Sequence, residues 1–229
     1  SSDTAWTVTA EYQGETQQFS CNFLMMCSGY YNYDTPYTPD FKGREAFQGT
    51  VIHPQHWPKD LDYSDKKVVV IGSGATAMTL VPAMADDAAS VTMLQRSPTY
   101  VVARPDQDKI ANALRKLLPD SVAYALTRFK NTQLQHFMYQ RMRKEPQKMK
   151  KALVDLVSDA LGPDYDVDKH FTPKYYPLDQ RLCLIPNGDL FKSIRKGKTQ
   201  VITDHIETFT KRGLKLASGE ELEADIIVT

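Results

Sequence analysis

The chain has 229 residues, and its 28 Lys and Arg are balanced by 28 Asp and Glu. A neutral total gives no electrostatic reason to expect nucleic acid as a partner, and 41% hydrophobic with 24% charged residues is the mixture of a globular chain, not a disordered one. No run approaches the roughly 18 apolar residues of a membrane-spanning helix, and three cysteines (Cys21, Cys27 and Cys183) without a C-x-x-C predict neither a disulfide framework nor a zinc site.

No secretory leader is visible, so the cytoplasm is the expected compartment. The chain opens on Ser1-Ser2-Asp3 and stops at Thr229 inside an apolar, strand-like run, which predicts a piece of a larger protein. Residues 6–12 alternate as a strand, turn at Gln13-Gly14 and lead into residues 19–26, an apolar run suited to a buried strand. The far end repeats this: residues 206–210 and 213–217 alternate, turn at Ser218-Gly219, and lead into residues 222–229. Two copies of one unit are expected, the tail of one nucleotide-binding domain and most of a second.

Residues 47–58 read F-x-G-x-x-x-H-x-x-x-W-P, with Phe47, Gly49, His53, Trp57 and Pro58 at the fixed positions. By physics alone this is a loop-rich linker. His53 and His56 suggest metal or acid-base chemistry, but no carboxylate or thiol of ligand spacing accompanies them, and no metal is expected. Next comes a β-branched run, residues 68–71, then G-x-G-x-x-A over Gly72, Ser73, Gly74, Ala75, Thr76 and Ala77. Gly72 permits a tight turn, Gly74 lets backbone approach a pyrophosphate, and Ala77 lets the following helix pack on the strand. That helix, read over residues 78–86, would point its N-terminus at phosphates, with Pro82 predicting a kink or an early stop.

The second strand, residues 90–95, is followed by Arg96-Ser97 where an NAD site usually carries a carboxylate for the ribose. A guanidinium fork and a hydroxyl suit a 2′-phosphate instead, so NADP is expected over NAD. Residues 106–161 have helical spacing (Ile110, Ala113, Leu114, Leu117, Phe129, Leu134, Phe137, Met138, Met142, Leu153), punctuated by Pro119, Pro146 and Pro163 into about three helices. Arg141, Arg143, Lys144, Lys148, Lys150 and Lys151 make the middle basic. This reads first as a solvated helix face, and second as a docking surface for a membrane or another subunit. Residues 166–176 are expected to be a mobile loop.

The 47–58 run resembles the fingerprint of Baeyer–Villiger monooxygenases, which are class B flavoprotein monooxygenases. The resemblance extends over essentially the whole chain. Cys27-Ser28-Gly29-Tyr30-Tyr31 is similar to the stretch closing the family's FAD domain, Pro36, Pro39, Phe41 and Gly43 to its hinge, and Gly72/Gly74/Ala77 with Arg96-Ser97-Pro98 to its NADP site. Residues 177–191 look closest to the ethionamide-activating branch. The implied fold is α/β: a Rossmann-like NADP-binding domain with a β-meander and a helical insertion, preceded by the C-terminal tail of an FAD-binding domain. The implied boundaries are 1–35 for that tail, 36–64 for the hinge with the fingerprint, and 65–229 for the NADP domain with its insert at about 106–170.

The resemblance implies NADPH and, in the intact enzyme, FAD as cofactors. The partners are O2 and a small organic substrate, oxidised at a ketone, sulfur or nitrogen through a peroxyflavin. It implies a catalytic role for Arg181 beside flavin and nicotinamide, and a hinge role for His53. Where relatives carry Lys before that Arg, this chain has Gln180, leaving Arg96 as the main reader of the 2′-phosphate. The insert is implied to form the substrate-side wall. By itself the chain is expected not to oxygenate, because it carries no N-terminal G-x-G-x-x-G for the FAD. Two alternatives remain open: the NADP-binding portion of another flavoprotein oxidoreductase with two dinucleotide sites, and a non-catalytic NADP sensor.

Overall fold

A computed structural model describes residues 5–29 and 32–229. The chain divides into two compact units, residues 1–37 and 38–229.

In the first unit, β1 (Trp6–Tyr12) and β2 (Glu15–Cys21) form an antiparallel hairpin with Trp6 opposite Cys21. Its two-residue turn places Gln13 and Gly14 both at positive φ, as a tight hairpin requires. The expected buried strand over residues 19–26 does not form. Strand β2 ends at Cys21, and Phe23, Met25 and Met26 are exposed. An extended segment becomes a strand only when a neighbour takes its backbone groups, and among the described residues none pairs with 22–29. Tyr30 and Tyr31, which complete the stretch likened to the end of an FAD domain, lie outside the described residues.

The second unit runs β3 (Thr50–Ile52), β4 (Lys67–Ile71), α1 (Ala75–Met84), β5 (Ser90–Gln95), β6 (Tyr100–Arg104), α2 (Lys109–Leu117), α3 (Asp120–Lys144), α4 (Pro146–Leu161), α5 (Val167–Phe171), β7 (Leu182–Pro186), α6 (Asp189–Arg195), β8 (Thr199–Thr203), β9 (Ile206–Thr210), β10 (Gly213–Leu216), β11 (Glu221–Glu223) and β12 (Ile226–Val228). Its centre is a five-stranded sheet in the order β3-β12-β4-β5-β8, parallel throughout. Such a sheet is covered on both faces, which is why its strands are continuous β-branched runs. Alternation sorts those residues into two layers. Val68, Val70, Val91, Met93, Val201, Ile226 and Val228 pack with α1, α6 and the helical insert. Val69, Leu94, Ile202 and Ile227 face the antiparallel meander β9-β10-β11, burying Phe209, Leu214, Leu216 and Leu222.

The fingerprint is less of a linker than its loop-like composition suggests. Thr50–Ile52 is the edge strand β3, in register with β12 from Thr50 opposite Ile226. Gly49 explains itself sterically, because a Cβ there would drive into the Asp225 carbonyl oxygen and the Phe47 ring. Phe47 is buried edge-on against Phe209, with ring centroids 6.2 Å apart. His53 caps a one-turn 3-10 helix, its Nδ1 accepting from the Gln55 amide at 3.2 Å, and Trp57 packs partly buried against the helix-side core.

The insert contains the three long helices that its prolines predict, with α5 as an additional short one. Most of its apolar spacing does not translate into core. Ile110, Leu117, Phe129, Leu134 and Phe137 are exposed, whereas Ala111, Ala123, Leu153 and Val157 are buried. Residues 166–176 also depart from a plain loop. Val167–Phe171 is helical, Asp166 caps it at the Lys169 amide, and Phe171 is buried against Phe191.

Candidate dinucleotide-binding site

Parallel pairing brings the sequence motifs together. Strands β4 and β5 run side by side with Ile71 opposite Leu94, so the Gly-rich turn after β4 and Arg96-Ser97 after β5 leave the sheet at the same edge. This carboxyl edge is where open α/β sheets place their ligands. The Gly72 amide donates to the Leu94 carbonyl at 2.7 Å, and the Ser73 hydroxyl donates to the Ser97 carbonyl at 3.5 Å. Gly72 adopts φ 124°, a region closed to L side chains. Gly74 is the N-cap of α1, and no side chain caps that helix end. The amides of its first turn therefore remain available for an anion, and Ala75 and Thr76 are exposed there. Ala77 is buried against the sheet, as the close helix packing requires. Pro82 falls in the last turn of α1, where it cannot donate to the Met78 carbonyl, and the helix ends two residues later.

Beyond β5, neighbouring residues have opposite surroundings. Gln95 is buried, its amide donating to the His170 carbonyl at 2.7 Å and to the Thr203 hydroxyl at 2.9 Å. Both of its donors are consumed inside the protein. Arg96 and Ser97 are exposed at the mouth of the turn. Of the neighbours Gln95 and Arg96, only Arg96 is therefore open to solvent at this edge.

Arg181 arrives from far along the chain. It immediately precedes β7, which pairs in parallel with β6 from Leu182 opposite Tyr100. A methyl group placed on Gly74 would lie 3.5 Å from the Arg181 Nη1, so this guanidinium hangs over the Gly-rich turn. Beneath it, the buried Cys183 thiol approaches the Ser73 carbonyl at 3.9 Å. Burial pushes that thiol's pKa up, against an opposing pull from Arg181.

Sequence reasoning missed the groups that hold this edge in place. The Tyr175 hydroxyl donates to the Arg181 carbonyl at 2.8 Å and lies 2.8 Å from the Thr99 hydroxyl. The Tyr100 hydroxyl donates to the Tyr175 carbonyl at 2.6 Å, and desolvation raises its pKa to about 12. Only an aromatic-rich composition near residues 175 and 176 hinted at them, because Thr99 and Tyr100 pair with Tyr175 across about 75 residues.

The turn, Arg96-Ser97 and Arg181 therefore share one edge of the second unit, while Phe47, Gly49, His53, Trp57 and Pro58 flank strand β3. Among the described residues no group of three or more His, Cys, Asp or Glu gathers as a metal site, and no helix is long and apolar enough to cross a membrane.

Comparison with known proteins supplies the family. The chain is 56% identical over 225 residues to the FAD-containing monooxygenase EthA of Mycobacterium tuberculosis, a match covering 98% of this chain and 46% of that protein. The chain thus spans about half the length of the curated relatives it matches. Its fold is similar to that of an oxidized steroid monooxygenase bound to NADP, with TM-score 0.70 and 17% identity over 93% of this chain and 46% of that one. It is likewise similar to OTEMO in complex with FAD and NADP, with TM-score 0.69 and 18% identity over 97% of this chain and 49% of that one. The flavin-binding monooxygenase-like family description matches residues 1–162, and the chain belongs to that family.

Proposed function

We propose that the chain is the NADP-binding portion of an FAD- and NADPH-dependent monooxygenase of the Baeyer–Villiger type, acting on a ketone, sulfur or nitrogen centre of a small organic substrate. The observation that carries this reading is the convergence of a Gly-rich turn, an uncapped helix N-terminus and two arginines at one parallel-sheet edge. Membership of the flavin-binding family and the relatives' names support the flavin half of the reading.

The residues present fit a dinucleotide. Gly74 leaves open the space that a Cβ would fill below Arg181, and the first-turn amides of α1 supply donors for a pyrophosphate. When bound, the reduced nicotinamide supplies hydride to the flavin, which carries the oxygen chemistry. The chain's own part is placement and charge. Arg96, with Ser97 beside it, would grip the 2′-phosphate as a planar fork. Gln95 would not read the ribose, because its amide is engaged by His170 and Thr203. Arg181 would bring permanent positive charge to the reacting end and help position the nicotinamide. His53, in the fingerprint, would serve as a hinge residue and not as an acid.

Calorimetric titration of the chain with NADP+ and NAD+ tests this reading. NADP+ should bind at least about tenfold more tightly, since a charge-assisted phosphate contact is worth roughly 1.5–3 kcal/mol. Arg96→Ala should erase that preference while leaving NAD+ affinity unchanged. Equal affinity for both dinucleotides, or an unaffected variant, would refute the 2′-phosphate assignment.

A further inference from the structure

We propose that Tyr175 is the positioning residue for Arg181, acting through a relay of hydroxyl groups that pins the arginine's own backbone. The inference rests on the reading of Arg181 and the Gly-rich turn as one dinucleotide site.

The relay has a fixed direction. Tyr175 gives its single hydroxyl proton to the Arg181 carbonyl at 2.8 Å, so the Thr99 hydroxyl, also 2.8 Å away, must be the donor to Tyr175. Thr99 is buried directly after the Arg96-Ser97-Pro98 run, so the relay ties the segment carrying one arginine to the backbone of the other. The Tyr175 ring is set by Tyr100, fully buried, which packs edge-on at 5.3 Å and donates its own hydroxyl to the Tyr175 carbonyl at 2.6 Å. Tyr175 is thereby held at its ring, its backbone and its hydroxyl.

The segment between Tyr175 and Arg181 needs such an anchor. Residues 178–181 are exposed, and Leu178 sits at φ 73°, a left-handed conformation unfavourable for a branched side chain. The turn's other ties are the Asp179 amide to the Tyr176 carbonyl at 3.1 Å and a half-exposed Arg143–Asp179 ion pair at 3.3 Å. Exposed ion pairs fix little. The hydroxyl on the Arg181 carbonyl is the tie nearest the guanidinium that overhangs Gly74.

The test compares Tyr175→Phe, Arg181→Ala and the double variant, with Thr99→Val as a second way to break the relay. Tyr175→Phe keeps the ring and should lower the unfolding temperature by no more than a few degrees. It should weaken NADP+ binding about three- to tenfold, the loss expected for one hydrogen bond. In the Arg181→Ala background the same change should cost nothing further, which a merely structural tyrosine would not produce. In the ligand-free chain, 15N relaxation over residues 178–181 should show greater mobility in Tyr175→Phe and in Thr99→Val. Additive losses in the double variant, or unchanged relaxation in Tyr175→Phe, would overturn the proposal. If the wild-type chain binds neither dinucleotide, the site reading fails, and the relaxation result still decides whether Tyr175 holds Arg181.

Discussion

Gln95 and Arg96 are neighbours in sequence with opposite surroundings, one buried and the other exposed. The place of Arg96 at the sheet's carboxyl edge was legible because it follows from a strand-turn-helix-strand order within 30 residues. The burial of Gln95 was not, because the groups that bury it, His170 and Thr203, come from other elements. Gln95→Glu should therefore not convert the site to NAD. It would place a carboxylate against the His170 carbonyl, and it should destabilise the fold by about 1–3 kcal/mol without raising NAD+ affinity. Denaturant unfolding and NAD+ titration together check this. Gly74→Ala makes the complementary case. The new methyl meets only the Arg181 guanidinium at 3.5 Å and the backbone φ is an ordinary −81°, so stability should hold within about 0.5 kcal/mol while NADP+ binding falls. His170 adds a pH dependence. Burial, with Lys169 adding to it and Asp166 opposing, lowers its pKa below the ordinary imidazole value. The unfolded chain then binds the proton more readily, so this contribution to stability is complete above about pH 6.5 and is lost as pH falls through the lowered value. Thermal melts from pH 7.5 to 5 should show the decline, and His170→Gln should flatten it.

Elements show where pattern alone succeeds and where partners decide. Residues 226–228 and 23–26 have similar apolar patterns, yet only the first run is a strand, because β3 and β4 flank it on both sides. Ile227, fully buried there, should cost about 2–5 kcal/mol when cut to Ala. Helix α3 teaches the reverse lesson. Its periodicity correctly marks a helix, but Phe129 is 66% exposed, so Phe129→Ala should change the chain's stability by no more than about 0.5 kcal/mol. Equilibrium unfolding of the two variants side by side separates these cases. The fingerprint was legible as a resemblance and misread as local structure. A three-residue edge strand leaves no periodic signal, and the reason for Gly49 lies in Asp225, at the other end of the chain.

At the scale of the whole molecule, the second unit is a three-layer α/β body whose carboxyl edge gathers the turn, Arg96 and Arg181. Charge neutrality gave no reason to expect a nucleic-acid partner and located nothing. The site came from motif order, and its support came from pairings that only the fold reveals, such as Tyr100 opposite Leu182. Whether this edge holds NADP is read from the backbone amide spectrum of the 15N-labelled chain titrated with NADP+. The amides of Gly72 through Ala77, together with Arg96 and Ser97, should shift together and saturate at one affinity. Saturating shifts that spare those amides and cluster elsewhere, or no shifts at millimolar NADP+, would contradict NADP binding at this edge.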